Sequence, residues 1–218
     1  MKSNFNIKEI QSRKNNYINN FIDIEDALIN QKYKTLEEIY WKHNNIPSIE
    51  NHYISLAAKG HFSKLSSEES NEISNYLQKT EVWGTFELYL LINTLEYVNE
   101  DILKDIENTP LRFHHNNTKG FQDDRVLFSR VIAGLTFLFI KRGQKENAQK
   151  TLKILKEIQV QLELIIGLEQ LFLEGLFLYK FEDKILGNKL IQKVLYILST
   201  LEAPSIQHYL SNLYNQIK

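Results

Sequence analysis

The sequence predicts an all-α fold of stacked helical hairpins, and three observations carry that expectation. Only 8 Gly and 3 Pro occur in 218 residues, too few turn-formers for a strand-rich chain that must reverse every ten residues or so. The hydrophobic fraction of 43% is ample for a core, and the apolar residues recur at helical spacing. In the last third, a long apolar helix followed by a shorter amphipathic one occurs twice.

Taken in order, Ile18, Phe21, Ile22, Ile24, Leu28 and Ile29 predict a first helix from about Ile7 to Asn30. Thr35 with Glu38 three residues later has the spacing of a capping box, so a second helix should open there and end near His43–Asn45. Pro47 fits the first turn of a third helix reaching about Lys64, since a missing N–H is harmless at that point. Ser67 with Glu68 and Glu69 predicts the start of a fourth, acids being favoured at a helix N-terminus. Trp83, Phe86, Leu90, Leu91, Thr94 and Leu95 mark a fifth. A short helix from about Asn99 to Ile106 precedes the looser stretch NTPLRFHHNNTKG, and a long one runs from Phe121 to Arg142.

Lys141, Arg142 and Gly143 then make a helix C-terminus. A shorter helix with Ala148, Leu152 and Leu155 follows, and the pattern repeats from Ile165 to Phe181 and through Gly187, Leu190, Ile191 and Val194. Ala148 and Gly187 hold matching places about forty residues apart, the period of a tetratricopeptide-like two-helix repeat slightly stretched. Pro204 opens a last amphipathic helix with Ile206, Leu210, Leu213 and Ile217, expected to cap the stack. The whole chain, 1–218, reads as one superhelical array.

Charge and composition narrow the function. With 26 basic and 27 acidic residues there is no basic stripe of the kind needed to displace phosphate counterions, so this chain is not expected to bind DNA by itself. The absence of cysteine removes disulfides and thiolate chemistry and agrees with a cytoplasmic protein. Val160 to Tyr179 is apolar but broken by Glu163, Glu169 and Glu174, each costing ~2.5–3.5 kcal/mol near a bilayer centre, so no membrane span is expected. His114 and His115 are adjacent and point about 100° apart on a helix, which does not suit one shared metal. His43, His52, His61 and His208 lack ligand spacing. Asp123–Asp124, Glu25–Asp26, Glu37–Glu38 and Glu68–Glu69 read as helix-start acids. No phosphate loop, serine elbow or zinc-protease pattern is present, and neither cofactor nor metal is implied. Binding, rather than catalysis, is the expectation.

Two helix faces stand out. Arg130, Ala133, Gly134 and Phe137 share one face of the long helix, and Glu163, Gly167, Gln170 and Glu174 share one face of the next. A glycine inside a helix costs ~0.5–1 kcal/mol relative to alanine. Either close helix packing or a groove floor approached by a ligand backbone would justify it.

The run ISNYLQKTEVWGTFELYLLIN, with Tyr76, Leu77, Glu81, Trp83, Gly84, Phe86, Glu87, Leu88 and Asn93 in order, resembles the pattern of Rgg/GadR/MutR-type transcriptional regulators. Phe86 stands where tyrosine is more usual. LEGLFLYKFEDKILGNKLIQKVLYILSTLE is similar to that family's penultimate repeat, and the resemblance extends over nearly the whole chain. It implies a repeat domain that dimerises and binds a short, mostly apolar peptide pheromone in its concave face, with DNA read by a separate N-terminal helix-turn-helix. That head is absent from this sequence, which therefore reads as the C-terminal part of a regulator rather than a headless paralogue. The resemblance also implies an arginine among the peptide contacts, for which Arg130 is nearest. Family members often carry an asparagine beside it, where this helix has Ala133 and Gly134. The candidate peptide-binding residues are thus Asn93, Arg130, Gly134, Phe137, Gly167, Gln170 and Glu174. The competing expectation is a repeat scaffold for a protein partner, or an antagonist that pairs with intact regulators.

Overall fold

A computed structural model describes residues 17–81, 83–108, 121–158 and 164–218. Its helices are α1 (Ile18–Ile29), α2 (Tyr33–Asn44), α3 (Ile49–Lys59), α4 (Ser67–Lys79), α5 (Thr85–Thr94), α6 (Glu100–Asn108), α7 (Phe121–Lys141), α8 (Lys145–Glu157), α9 (Leu164–Phe181), α10 (Lys184–Thr200) and α11 (Pro204–Asn215). No strand occurs among the described residues. The chain divides into two units, Met1–Lys104 and Asp105–Lys218.

In the first unit α1 packs on α2, α3 and α5, and α3 packs on both α2 and α5. Apolar side chains at helical spacing supply its core: Phe21, Ile24, Leu36, Ile54, Ile73, Leu77, Phe86, Leu90 and Leu91 are all essentially inaccessible. Phe86 meets Phe21 edge-on at 5.2 Å, a geometry that ring quadrupoles favour. In the second unit α7 packs on α8 and α9, α9 on α8 and α10, and α10 on α11. That order is two consecutive hairpins and a closing helix. Pro204 occupies the first turn of α11, and Leu210, Tyr214 and Ile217 are buried.

Several helix ends differ from the sequence expectation. α2 begins at Tyr33, so Thr35 lies inside it and caps nothing. Ser48 caps α3, its hydroxyl accepting from the Asn51 amide at 3.1 Å, so Pro47 sits one residue before the cap rather than in the first turn. α3 ends at Lys59 rather than Lys64. The cap of α4 is Ser66, whose hydroxyl takes the Glu69 amide while the Glu69 carboxylate takes the Ser66 amide, a closed capping box. Glu25–Asp26 and Glu37–Glu38 fall inside α1 and α2 rather than at their starts. Residues 7–16, His114, His115 and Glu163 lie outside the described residues.

Three helices stop by the same device. After α7, the Gly143 amide donates to the Ile140 carbonyl and the Gln144 amide to the Phe139 carbonyl, with Gly143 at φ +73°, the paired bonds of a Schellman motif. The same pairs recur after α1 around Gln31 (φ +54°) and after α10 around Glu202 (φ +53°). Only the glycine version is readable in a sequence.

The second hairpin is drawn together at a glycine pair. A Cβ on Gly187 would collide with the Tyr179 amide nitrogen and stand 2.6 Å from the Gly175 carbonyl oxygen. A Cβ on Gly175 would lie 2.9 Å from the Ile191 side chain. The backbones of α9 and α10 therefore touch where no side chain fits. Ala148, matched with Gly187 in the sequence, is fully buried on α8.

Candidate functional site

α7 is apolar on almost every side, and its burial follows suit. From Val126 to Ile140 only Val126, Arg130, Gly134 and Phe137 are half-exposed, and every other residue is buried. These four lie within about 80° of arc at 100° per residue. Ala133, expected on the same face, is 3% exposed and belongs to the packed side. The hydroxyls of Ser129 and Thr136 bond back to the Val126 and Ile132 carbonyls at 2.7 Å, so the buried flank leaves neither hydroxyl unmet. A helix enclosed this way presents its neighbours with bulk and its open side with one narrow strip: a guanidinium, a glycine and a phenylalanine.

On α9, Gly167 is exposed while Gln170 and Glu174 are half-exposed on the same side. Glu174 is hydrogen-bonded to Lys156 of α8. A Cβ on Gly167 would meet nothing within 4 Å, so close packing does not explain this glycine. The close approach is made by Gly175 and Gly187 instead. Leu164 and Ile165, at the start of α9, are 62% and 43% exposed. Since α7 and α9 are in direct contact, six of the seven candidates sit on two adjoining helices of the second unit.

Asn93 is placed differently. It lies on α5 in the first unit, 5% exposed. Its Nδ2 donates to the Tyr89 carbonyl at 2.9 Å and its Oδ1 faces His61 Nε2 at 3.0 Å. Burial pushes the His61 imidazole below its ordinary pKa, against the opposing pull of the Asn93 bond. The Asn93 amide is thus engaged at both ends within its own unit.

The sequence pattern around Tyr76–Asn93 is likewise built into the scaffold. The Trp83 indole donates to the Leu77 carbonyl at 2.9 Å, folding the α4–α5 link back on α4. The Tyr76 hydroxyl donates to Glu87 Oε1 at 2.6 Å, and Glu87 Oε2 accepts the Gly84 amide at 2.9 Å at the start of α5. Burial first, then the Glu87 carboxylate, hold the Tyr76 phenol well above its ordinary range. This constellation welds two helices together.

Sequence reasoning missed an open cleft of about 690 Å³ between α3 and α4. Tyr53 and Tyr76 stack in it with centroids 4.2 Å apart, Ile49 and Lys79 flank them, and a His52–Glu72 pair at 2.9 Å stands at its edge. Its residues come from two helices at unrelated spacing, so no local pattern announces it. Among the described residues, no group of three His, Asp or Glu side chains could hold a metal ion, and no helix is long and apolar enough to cross a membrane.

Consecutive two-helix hairpins and a closing helix define an all-α fold of tetratricopeptide-like repeats. The chain belongs to the family of C-terminal domains of the HTH-type transcriptional regulator Rgg, whose model matches residues 6–212. Solved structures agree in fold. The Streptococcus dysgalactiae SHP pheromone receptor Rgg2 is 13% identical with a TM-score of 0.71, the match covering 93% of this chain and 76% of that one. A protein from Listeria monocytogenes EGD-e is 15% identical with a TM-score of 0.69, covering 91% and 72%. PrgX is 13% identical with a TM-score of 0.58, covering 99% and 69%. At these identities the likeness is one of fold. No curated protein sequence matches the chain.

Proposed function

We propose that this chain is the ligand-sensing and dimerisation domain of an Rgg-type regulator, and that it binds a short, mostly apolar signalling peptide along the strip of α7 and the adjoining face of α9. The observation that carries the reading is the single open strip along Val126 to Ile140 of α7, with Arg130 set among Val126, Gly134 and Phe137. Apolar peptide side chains would displace water over Phe137 and the exposed start of α9. Arg130 would receive a carboxylate through charge-assisted hydrogen bonds. Gly167 leaves room for a peptide backbone to approach α9, with Gln170 and Glu174 beside it. Rgg2, described as a pheromone receptor, supports the class of ligand.

The family match runs across both units, which supports treating them as one regulatory domain. DNA contact falls to the helix-turn-helix part that the family's description pairs with this domain, and the action is binding in the cytoplasm rather than catalysis. Ligand control requires that the peptide prefer one arrangement of the helices over another.

Mass spectrometry of peptides copurifying with the protein identifies the ligand, and calorimetry with its synthetic form measures affinity. Arg130→Ala and Gly167→Leu are each expected to weaken binding at least tenfold, with helicity by circular dichroism unchanged. Unaltered affinity in both variants removes the groove assignment.

A further inference from the structure

We propose that His43 is a proton-operated latch joining α1, α2 and α3, and that its moving part is the side chain of Asn20. His43 is 3% exposed in the last turn of α2. Its Nδ1 lies 2.5 Å from Asn51 Oδ1 of α3, and its Nε2 lies 3.1 Å from Asn20 Oδ1 of α1. Both ring nitrogens therefore face amide oxygens.

Neither oxygen is there by an arbitrary choice of amide orientation. The Asn51 Nδ2 donates to the Ser48 hydroxyl at 2.6 Å, and Ser48 is in turn the cap of α3. The Asn20 Nδ2 donates to the Tyr17 carbonyl at a longer 3.3 Å. A neutral imidazole has one donor nitrogen and one acceptor. It satisfies Asn51 as the Nδ1–H tautomer, and then its Nε2 lone pair opposes the lone pair of Asn20. The amide with the weaker tether gives way: Asn20 turns, donates to Nε2 and releases the Tyr17 carbonyl. When Nε2 takes a proton from solvent, its new N–H points at Asn20, which turns back and re-engages Tyr17. One proton gained at Nε2 thus exchanges one hydrogen-bond arrangement at the first turn of α1 for another.

The forces on that proton are few. From α1 the ring meets Asn20 and from α3 it meets Asn51, both uncharged. Among the described residues, the charged neighbour acting on it is Lys42, on α2 itself, which disfavours a second positive charge. The carbonyl end of α2 favours the charge. Burial outweighs the rest and brings the group below its ordinary value of 6.5. A histidine whose folded pKa is depressed contributes stability that is whole above the unfolded value and diminishes as pH falls through it. The latch therefore stays neutral, with Asn20 donating, at neutral pH. It switches at a pH below the ordinary imidazole value.

The test is an NMR titration of the full chain labelled with nitrogen-15, from pH 7.5 to 5, with His43→Gln assigning the ring. The expected result is the Nδ1–H tautomer at neutral pH and a midpoint below 6.5. The Asn20 side-chain amide should shift with that same midpoint while Asn51 stays still. Asn20→Asp, which gives Nε2 a carboxylate, should raise the midpoint by about one pH unit or more. An Nε2–H tautomer at neutral pH, or an Asn20 amide indifferent to the titration, overturns the latch. Both readings come from the unmutated protein, so the test stands even where Asn20→Asp fails to fold.

Discussion

Glu87 is 2% exposed, and a carboxylate that deep is tolerable only when its oxygens are met. Tyr76 and the Gly84 amide meet them. Replacing Glu87 with alanine takes the acceptor from a half-buried phenol and from a helix-start amide, so urea unfolding should show a loss of ~1–3 kcal/mol. Tyr76 itself sets a pH limit. Its folded pKa lies above the unfolded value of 10, so the stabilisation is intact below pH 10 and lost as pH climbs past it. Unfolding midpoints measured at pH 8 and pH 10.5 should therefore separate, and Tyr76→Phe should narrow the gap. Gly167 makes the opposite kind of prediction. Because its missing Cβ faces open space, Gly167→Ala should stabilise the free protein by ~0.5–1 kcal/mol while weakening peptide binding. A thermal melt without and with peptide reads both effects.

Among the elements, the α9–α10 hairpin depends on backbone contact in a way that α7–α8 does not display. Gly187→Ala puts a methyl group against the Tyr179 amide nitrogen and the Gly175 carbonyl. Neither can yield without parting the helices, so a loss of ~1–3 kcal/mol is expected from denaturant unfolding. The ends of α1 and α10 argue the other way. Gln31 and Glu202 hold left-handed φ values that cost a side-chain-bearing residue ~1–2 kcal/mol. Glu202→Gly, which keeps the Schellman bonds, should raise stability by ~0.5 kcal/mol, less than the full strain because glycine also loosens the unfolded chain.

For the whole molecule, the outer side of α10 bears on assembly. Ile185 and Tyr196 are 72% and 73% exposed and lie opposite the buried line of Gly187, Ile191, Val194 and Leu198, with the exposed Leu186 next to Ile185. Exposed apolar side chains on one helix face are places where a partner can bury surface. The dimerisation proposed above is expected to use this face. Tyr196→Glu should lower the mass seen by light scattering at micromolar concentration and leave peptide affinity intact. An unchanged mass removes this face from the proposed dimerisation.

The sequence by itself determined the class of fold and most of the inward positions it singled out in several helices. Apolar spacing is local information, and Phe21, Ile73, Leu90 and Ile191 needed only their own neighbours along the chain to be assigned inward. The Rgg resemblance was legible for the same reason, since its run occupies consecutive positions. Tertiary structure decided what that spacing leaves open. It turned Asn93 towards His61, sent Ala133 into the packed side of α7, and showed Glu87 to be a weld between helices. It also distinguished Gly167, which touches nothing, from Gly187, which touches a backbone. Identical residues in similar helices part company there because exposure and contact are set by partners distant in sequence, and a periodic pattern carries no record of them.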